Sequence, residues 1–171
     1  MRVLHVYKDY YPPVLGGIEG HINILAKGLL RRGVEVEVLV SNTSATLERQ
    51  NIDGVLVTRI PQLGRFASAP LNATFPLWLR RLKKKFDIIH FHFPNPTGEM
   101  SYLVSGLGCQ IVTTYHSDIV RQAKLGKIYS PFMHGFLSCS RVLITSSRNY
   151  QESSLSLIHI SEPTRPLYNS Y

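Results

Sequence analysis

The sequence has few cysteines and no long apolar run, and each shortage excludes a class of protein. The two cysteines, Cys109 and Cys139, show neither a CxxC pair nor the Cys/His spacing of a zinc site, so we expect free thiols in a reducing cytoplasm. No stretch approaches the ~18 consecutive apolar residues that a membrane-spanning helix needs. His5, Lys8 and Asp9 interrupt the first apolar run too early for a signal peptide. We therefore expect a folded cytoplasmic protein.

Two common nucleotide-binding motifs are also missing. The dinucleotide fingerprint G-x-G-x-x-G is absent, and Ser41-Asn42 rather than an acidic residue follows the second predicted strand. A Walker A loop is absent as well. The sequence therefore predicts neither a bound dinucleotide cofactor nor a P-loop nucleotide site.

Acidic residues are outnumbered by basic ones, 11 against 19, which leaves a formal charge of +8. Such a balance is typical of proteins that bind nucleic acid, an anionic membrane surface or a phosphorylated substrate. The charge is concentrated at Arg80, Arg81, Lys83, Lys84 and Lys85. This basic cluster lacks interleaved aromatic residues beyond Trp78 and Phe86, and no recognition motif accompanies it, so we expect no specific nucleic-acid partner.

The sequence does contain a regular alternation of strand and helix patterns, over a length that suits one domain. Amphipathic patterns predict helices from residue 18 to Gly33, over 75–82, and near 97–105 and 131–139. A turn at Asp53-Gly54 predicts a hairpin over 52–60. Short apolar runs predict strands at 3–7, 34–40, 88–91, 111–114 and 142–145. This alternation predicts an α/β fold with a Rossmann-like, doubly wound and mainly parallel sheet.

The last part of the chain departs from this pattern. Residues 155–165 read LSLIHISEPTR, which looks like the translation of an adapter used in sequencing libraries. We therefore expect the domain to span 1–154 and residues 155–171 to be a non-native or disordered tail, with no role for His159. A genuine polar tail is the alternative, because chain ends are often irregular.

Polar or glycine-rich clusters lie at the ends of four predicted strands. In an open α/β sheet, ligands bind outside the carboxyl ends of the strands, so we expect these clusters to converge on one functional edge. The clusters are Gly16-Gly17, His90 with His92, His116 with Asp118, and Ser146-Ser147.

Each cluster has a functional and a structural interpretation. Gly16 and Gly17 let a phosphate approach the N-terminus of the following helix, or simply form a tight turn. A neutral His116 can hydrogen bond a ligand hydroxyl or stabilise developing charge, or serve only the fold. Asp118 orients His116, binds a hydroxyl itself, or caps the next helix.

A metal site is a further alternative. His90 and His92 are two residues apart, so on a strand both face the same way, and His116 with Asp118 could complete the ligand set. Such a site would make the protein a metal-dependent hydrolase. No carboxylate-rich second cluster accompanies these residues, so we expect that no metal is bound.

Three segments of the sequence share a pattern with one enzyme family. Residues 11–21 read YPPVLGGIEGH, residues 87–92 read DIIHFH, and residues 112–118 read VTTYHSD. In this order and at these intervals, they resemble glycosyltransferase family 4 over residues 1 to about 154. The resemblance implies the GT-B fold, in which two Rossmann-like domains face each other across a cleft. The family's donor-binding second domain carries a basic pair and an E-x7-E motif, which this sequence lacks, so we expect that domain to be absent.

The resemblance implies a retaining transferase that moves a hexose-type sugar from a nucleotide-sugar to a glycan or lipid-linked acceptor, without a required metal or other cofactor. Gly16 and Gly17 would lie against the donor phosphates, and His116 would be the catalytic residue beside the reacting sugar. Tyr11 and His92 would help to bind the acceptor. We expect the chain alone to be inactive, because half of the cleft is missing.

The same resemblance gives the basic cluster a further interpretation. Many members of the family work on lipid-linked acceptors at the inner face of the cell membrane, where each basic residue near anionic headgroups contributes about 1 kcal/mol. We expect either this peripheral membrane contact or a solvated face that keeps the protein soluble. A non-catalytic module that binds an anionic ligand through this helix is the remaining alternative.

Overall fold

A mostly parallel sheet lies at the centre of the computed structural model, which describes residues 1–66, 69–106, 108, 111–117, 123–145 and 167–169. The strands are β1 (Arg2–Val6), β2 (Glu35–Ser41), β3 (Glu48–Ile52), β4 (Val55–Ile60), β5 (Arg65–Phe66), β6 (Ala69–Pro70), β7 (Ile88–Phe93), β8 (Ile111–Tyr115), β9 (Ser140–Thr145) and β10 (Leu167–Asn169). The helices are α1 (Gly17–Leu30), α2 (Phe75–Lys83), α3 (Pro96–Ser105) and α4 (Ala123–Ser138).

The main sheet has eight strands in the order β10-β9-β8-β7-β1-β2-β4-β3, and β5 with β6 forms a separate small sheet. Within the described ranges, β3 against β4 is the one antiparallel pair of the main sheet. The inner strands are covered on both faces, which explains why they read as nearly continuous apolar runs. The predicted Rossmann-like, mainly parallel α/β fold is confirmed.

Several elements extend beyond the bounds that the sequence predicts, and two of these extensions, in β7 and α4, have a clear physical reason. β7 continues to Phe93 instead of ending at residue 91, because its last residues pair with β8. α4 begins at Ala123 instead of near 131, although Pro131 inside it cannot donate a backbone hydrogen bond. Pro131 is exposed, whereas Phe136 and Leu137 are buried in the core, so tertiary packing of the later turns stabilises the helix despite the proline.

The hairpin between β3 and β4 has the turn that the sequence predicts. Asp53 has a φ angle of 52° and Gly54 one of 89°, so both residues lie in the left-handed region that a type I′ turn requires. The turn is held by a hydrogen bond of 2.9 Å from Gly54 N to Asn51 Oδ1, and by an ion pair between Asp53 and Lys27 of α1. Gly33, just beyond α1, also has a positive φ of 76°, as predicted for the residue that ends a helix.

Two apolar cores lie on opposite faces of the main sheet. α1 packs on one face through residues such as Ile22. α2, α3 and α4 pack on the other face, where Phe91 of β7 meets Phe136 of α4 with ring centroids 5.0 Å apart. Side chains alternate along a strand, so the neighbours of Phe91 point to the α1 face. This alternation places His90 and His92 on the side of α1.

Little of the predicted tail is described. Leu167–Asn169 pair in parallel with β9 at one edge of the sheet, while residues 155–166, 170 and 171 lie outside the described ranges. The origin of this segment therefore stays a prediction. No helix in the described part of the chain is both long and apolar enough to cross a membrane. Cys139 is a free, exposed thiol, and Cys109 lies outside the described residues.

Candidate functional site

Five histidines gather on the α1 face of the sheet, towards the carboxyl ends of its strands. His5 in β1 stands opposite His90 in the parallel register with β7, and His92 follows two residues later. His116 comes directly after β8, and the ring of His21 in α1 meets it edge-on, with centroids 5.0 Å apart. The register of the sheet therefore brings together side chains that are far apart in the sequence.

Three of these residues, His5, His92 and His116, form a continuous line of hydrogen bonds that we call the histidine line. Nδ1 of His5 lies 3.0 Å from Nε2 of His92, and Nδ1 of His92 lies 3.1 Å from Nε2 of His116. His5 and His92 have no exposed surface, whereas His116 is half-buried. His90 is outside the line, and its Nε2 lies 2.7 Å from Oγ1 of Thr114. The line thus runs from the interior towards the edge of the sheet.

Burial keeps these imidazoles neutral at physiological pH. Burial, with a smaller contribution from positive charge on His21, lowers the pKa of His5 from 6.5 to about 3 and the pKa of His116 to about 4. Burial also lowers the pKa values of His90 and His92 well below 6.5. A neutral imidazole has one N–H and one bare nitrogen, so each ring can donate one hydrogen bond and accept one.

Ring nitrogens of His5, His90 and His92 lie within 4.8 Å of one another, which is close enough to bind one metal ion. In this structure, Nδ1 of His5 and Nε2 of His92 are hydrogen bonded to each other, and no carboxylate belongs to the group. His116 is not a member of it, and Asp118 lies outside the described residues. The geometry therefore favours a hydrogen-bonded cluster over the metal site considered from the sequence.

The N-terminus of α1 lies at the same edge and begins with the predicted glycine pair. Gly16 is the N-cap and has an extended backbone, with no side chain capping the helix. A Cβ on Gly16 would collide with the carboxylate of Glu19, whereas the space around Gly17 is open. Glu19 is buried in the first turn, where its negative charge opposes an approaching phosphate. An anion therefore has open access to the helix at Gly17 rather than at Gly16.

An open cavity of about 240 Å³ adjoins the loop after β1. The loop is fixed at two points, because Arg59 donates a hydrogen bond to the carbonyl of Pro12 and Arg65 forms an ion pair with Asp9. Carboxylate, amide and guanidinium groups in one cavity suit a ligand with several hydroxyl groups. These groups belong to Asp9, Asn42, Glu48, Gln50 and Arg59.

The remaining residues singled out from the sequence have different surroundings. Tyr11 is exposed in the loop after β1. His92 is buried behind His116, and both of its nitrogens bond other histidines. Its expected role on the acceptor side stays a prediction. Asp118 and residues 146–147 lie outside the described part of the chain.

The basic cluster lies near the amino ends of the strands, opposite the carboxyl ends where the histidines gather. Lys85 lines a surface depression together with Arg2 and Glu35, which begin β1 and β2. Lys84 and Lys85 are exposed, and Lys83 is half-buried. The end of α2 that carries these lysines is therefore remote from the histidine line.

Two members of the basic cluster are engaged with the protein itself. Nε of Arg80 donates a hydrogen bond of 2.8 Å to the carbonyl of Ser105 at the end of α3. The guanidinium groups of Arg81 and Arg49 lie 5.8 and 5.4 Å from the ring centre of Trp78. Such cation–π contacts hold an arginine on the surface without removing its charge.

A buried carboxyl that the sequence analysis missed lies at the start of α3. Oε1 of Glu99 accepts a hydrogen bond of 2.5 Å from the backbone N of Asn95, and Oδ1 of Asn95 accepts one of 3.2 Å from the N of Gly98. These bonds satisfy backbone donors at the helix start. Burial raises the pKa of Glu99 from 4.5 to about 8, although the hydrogen bond from Asn95 opposes the shift. Glu99 therefore keeps its proton at neutral pH.

Comparison with known proteins shows where this arrangement belongs. The model of Glycosyltransferase Family 4 matches residues 15–170. The chain belongs to this family. It is 37% identical over 164 residues to O-antigen chain mannosyltransferase C of Escherichia coli, and 33% identical over 165 residues to D-rhamnosyltransferase WbpZ of Pseudomonas aeruginosa. The matches cover 96% of the chain but only 44% and 43% of these relatives, so this family 4 chain spans less than half of their length.

Solved structures share the fold of the family 4 chain. Sucrose-phosphate synthase from Thermosynechococcus elongatus matches with a TM-score of 0.64 at 12% identity. The match covers 98% of the family 4 chain and 47% of the synthase chain. Trehalose 6-phosphate synthase from Burkholderia multivorans matches with a TM-score of 0.52 at 10% identity. This match covers 95% of the family 4 chain and 42% of the synthase chain. At such identities the likeness concerns the fold alone. Membership of family 4 confirms the resemblance seen in the sequence, and it does not favour the metal-dependent hydrolase.

Proposed function

We propose that the full-length protein is a retaining glycosyltransferase that transfers a hexose-type sugar, of the mannose or rhamnose class, from a nucleotide-sugar to a glycan or lipid-linked acceptor. The observation that carries this proposal is a convergence at one edge of the sheet. His116, the open N-terminus of α1 at Gly17 and the polar cavity beside the loop after β1 all lie there. The two relatives, a mannosyltransferase and a D-rhamnosyltransferase, support the class of sugar.

On the donor side, the diphosphate lies at the start of α1. The unpaired backbone N–H groups and the dipole of the helix favour an anion at Gly17, and Gly16 joins the contact when the Glu19 side chain moves aside. His116 hydrogen bonds the reacting sugar, and Asp118 binds a neighbouring hydroxyl. Positive groups and helix N-termini, rather than a metal, stabilise the charge that develops on the leaving diphosphate.

On the acceptor side, the polar cavity receives the glycan. Asp9 and Glu48 offer carboxylate acceptors, and Gln50 and Asn42 offer amides. Tyr11 is exposed in the loop whose neighbouring residues line the cavity, and it contacts the bound acceptor. The domain described here supplies this half of the cleft, and a second domain supplies the nucleotide contacts. Residues 1–154 alone are therefore inactive, because positioning and charge stabilisation both need two domains.

A donor panel tests the proposal with the full-length protein. Nucleotide-linked hexoses and 6-deoxyhexoses are offered with a lipid-linked glycan acceptor, and the product is analysed by mass and by NMR. We expect one donor class to be consumed, the anomeric configuration to be retained, and EDTA to have no effect. An inverted product would contradict the retaining mechanism, loss of activity in EDTA would contradict the metal-free one, and absence of transfer from every donor would contradict the function.

We further propose that the exposed end of the basic cluster contacts an anionic membrane surface at the inner face of the cell membrane. Replacing Lys84 and Lys85 by Ser should weaken binding to vesicles of anionic phospholipid, because each basic residue contributes about 1 kcal/mol there. Two residues then correspond to roughly a 30-fold loss of affinity in a pelleting assay. The control uses vesicles of neutral phospholipid, for which the lysine variant and the wild type should not differ. Equal binding to the anionic vesicles by the lysine variant and the wild type would contradict the proposal.

A further inference from the structure

The histidine line ends inside the protein at an unpartnered nitrogen. Nε2 of His5 is buried and has no hydrogen-bond partner among the described residues. Both nitrogens of His92 are used within the line. At the outer end, Nε2 of His116 is bonded to His92, so Nδ1 of His116 is the nitrogen left for a ligand. The line therefore runs from one buried, unsatisfied atom to the half-buried ring of His116, whose Nδ1 takes no part in the line.

The line permits only two arrangements of its protons. Each hydrogen bond between two imidazole nitrogens needs an N–H on one side and a bare nitrogen on the other. Since each ring is neutral and has one N–H, the three tautomers change together. Either every N–H sits on Nδ1 and the buried Nε2 of His5 is bare, or every N–H sits on Nε2 and that buried atom carries an unpaired N–H.

The buried end favours the first arrangement. Buried N–H groups without a partner are rare in proteins, and unsatisfied acceptors are tolerated more often. With Nε2 of His5 bare, its Nδ1–H donates to Nε2 of His92, and Nδ1–H of His92 donates to Nε2 of His116. The tautomer of a histidine is set by the hydrogen bond that its other nitrogen makes. The bond from His92 thus decides the protonation of His116.

We propose that His92, held in turn by His5, is a positioning residue that fixes His116 in the Nδ1–H tautomer. His116 then presents an N–H to its ligand and has no bare nitrogen available there. This orientation also explains why a fully buried polar residue at position 92 belongs to the site although it does not reach the surface.

The chemical consequence of this tautomer rests on the proposed function. An Nδ1–H group donates a hydrogen bond to a sugar hydroxyl or to an oxygen of the leaving diphosphate, and it cannot remove a proton. His116 therefore stabilises developing negative charge rather than acting as a general base. The tautomer is measured without substrate, so failure of the transfer assay and failure of this inference are separate results.

Long-range ¹H–¹⁵N correlation spectra of the ¹⁵N-labelled chain near neutral pH test the proposal. They separate ring nitrogens that carry hydrogen from bare ones. We expect Nδ1 of His5, His92 and His116 to carry the hydrogen in the wild type. In His92→Phe, Nε2 of His116 loses its partner, and His116 shifts towards the Nε2–H tautomer that free histidine prefers. The matched control His90→Phe removes a buried imidazole from the same strand and face but not from the line, so His116 should keep its tautomer.

Three results would overturn the proposal. One is a bare Nδ1 of His116 in the wild type, another is a mixture of both tautomers there, and the third is an unchanged tautomer in His92→Phe. If His92→Phe does not fold, the wild-type spectrum alone decides, because it reports the tautomer of every ring in the line.

Discussion

The domain is expected to unfold cooperatively between about pH 5 and 6. Burial lowers the pKa values of His5, His90, His92 and His116 below 6.5, so the unfolded chain takes up protons there and the folded domain does not. Well above pH 6.5 the histidines are neutral in both the folded and the unfolded state, and the effect vanishes. Below pH 6.5, each histidine costs about 1.4 kcal/mol of stability per pH unit. At about pH 5.5 the four remove about 5 kcal/mol, which equals the whole stability of many domains.

Glu99 produces the opposite slope on the alkaline side. Burial raises its pKa from 4.5 to about 8, so between these values the folded domain retains a proton that the unfolded chain has lost. Stability therefore falls as the pH rises through this window, by an amount on the order of 4 kcal/mol in total. The four histidine slopes and the single Glu99 slope balance at about pH 7, where we expect maximal stability.

An acid titration followed by circular dichroism measures the unfolding, and urea unfolding of the folded chain from about pH 6 to 8.5 measures both slopes. Glu99→Gln should remove the alkaline slope and leave the acid slope in place. His90→Phe should make the acid slope shallower, because one of the four protons is no longer taken up on unfolding. A wild-type stability that does not fall between about pH 6.5 and 5 would contradict the assignment of neutral, buried histidines.

Replacing His116 by Ala is expected to abolish most sugar transfer by the full-length protein. If the imidazole N–H stabilises charge that develops during the reaction, its loss lowers kcat by about 10²–10³-fold, with a smaller change in KM. Asn offers an N–H near the position of Nδ1, whereas Gln offers one near Nε2. His116→Asn should therefore retain more activity than His116→Gln. Steady-state kinetics of the three variants measure these differences.

The control for this series is His134→Ala, which changes a half-buried histidine of α4 on the other face of the sheet. It should have wild-type kinetics. A kcat of His116→Ala within about threefold of wild type would remove His116 from the chemistry. Equal activity of the Asn and Gln variants would contradict its role as an Nδ1–H donor.

Much of the fold could be predicted because its signals are local. Each predicted strand and helix is present, and the Asp53-Gly54 turn has the positive φ angles that its residues suggest. The early start of α4 could not be predicted, because a proline is read locally as a helix boundary. Packing of Phe136 and its neighbours, which the sequence does not display, stabilises that helix.

The candidate site was only partly predictable, because some of its residues have local signals in the sequence and others come together only through tertiary packing. Gly17 and His116 have local signals, namely a glycine at a helix start and a polar residue just after a strand. His5 and His21 join the site through the register of β1 with β7 and the packing of α1, which depend on the whole sheet. A polar residue inside an otherwise apolar strand was the one available signal for His5. The sequence offers no comparable signal for Glu99, because its raised pKa results from burial in the folded domain.

The most direct test of the account compares sugar transfer by the full-length protein with transfer by residues 1–154, under the same nucleotide-sugar and acceptor. The full-length protein should extend the acceptor, while the folded fragment, checked by circular dichroism, should give no product. Transfer by the fragment alone would contradict the two-domain mechanism. Absence of transfer by a full-length protein that binds its nucleotide-sugar would contradict the assignment of this sheet edge to glycosyl transfer.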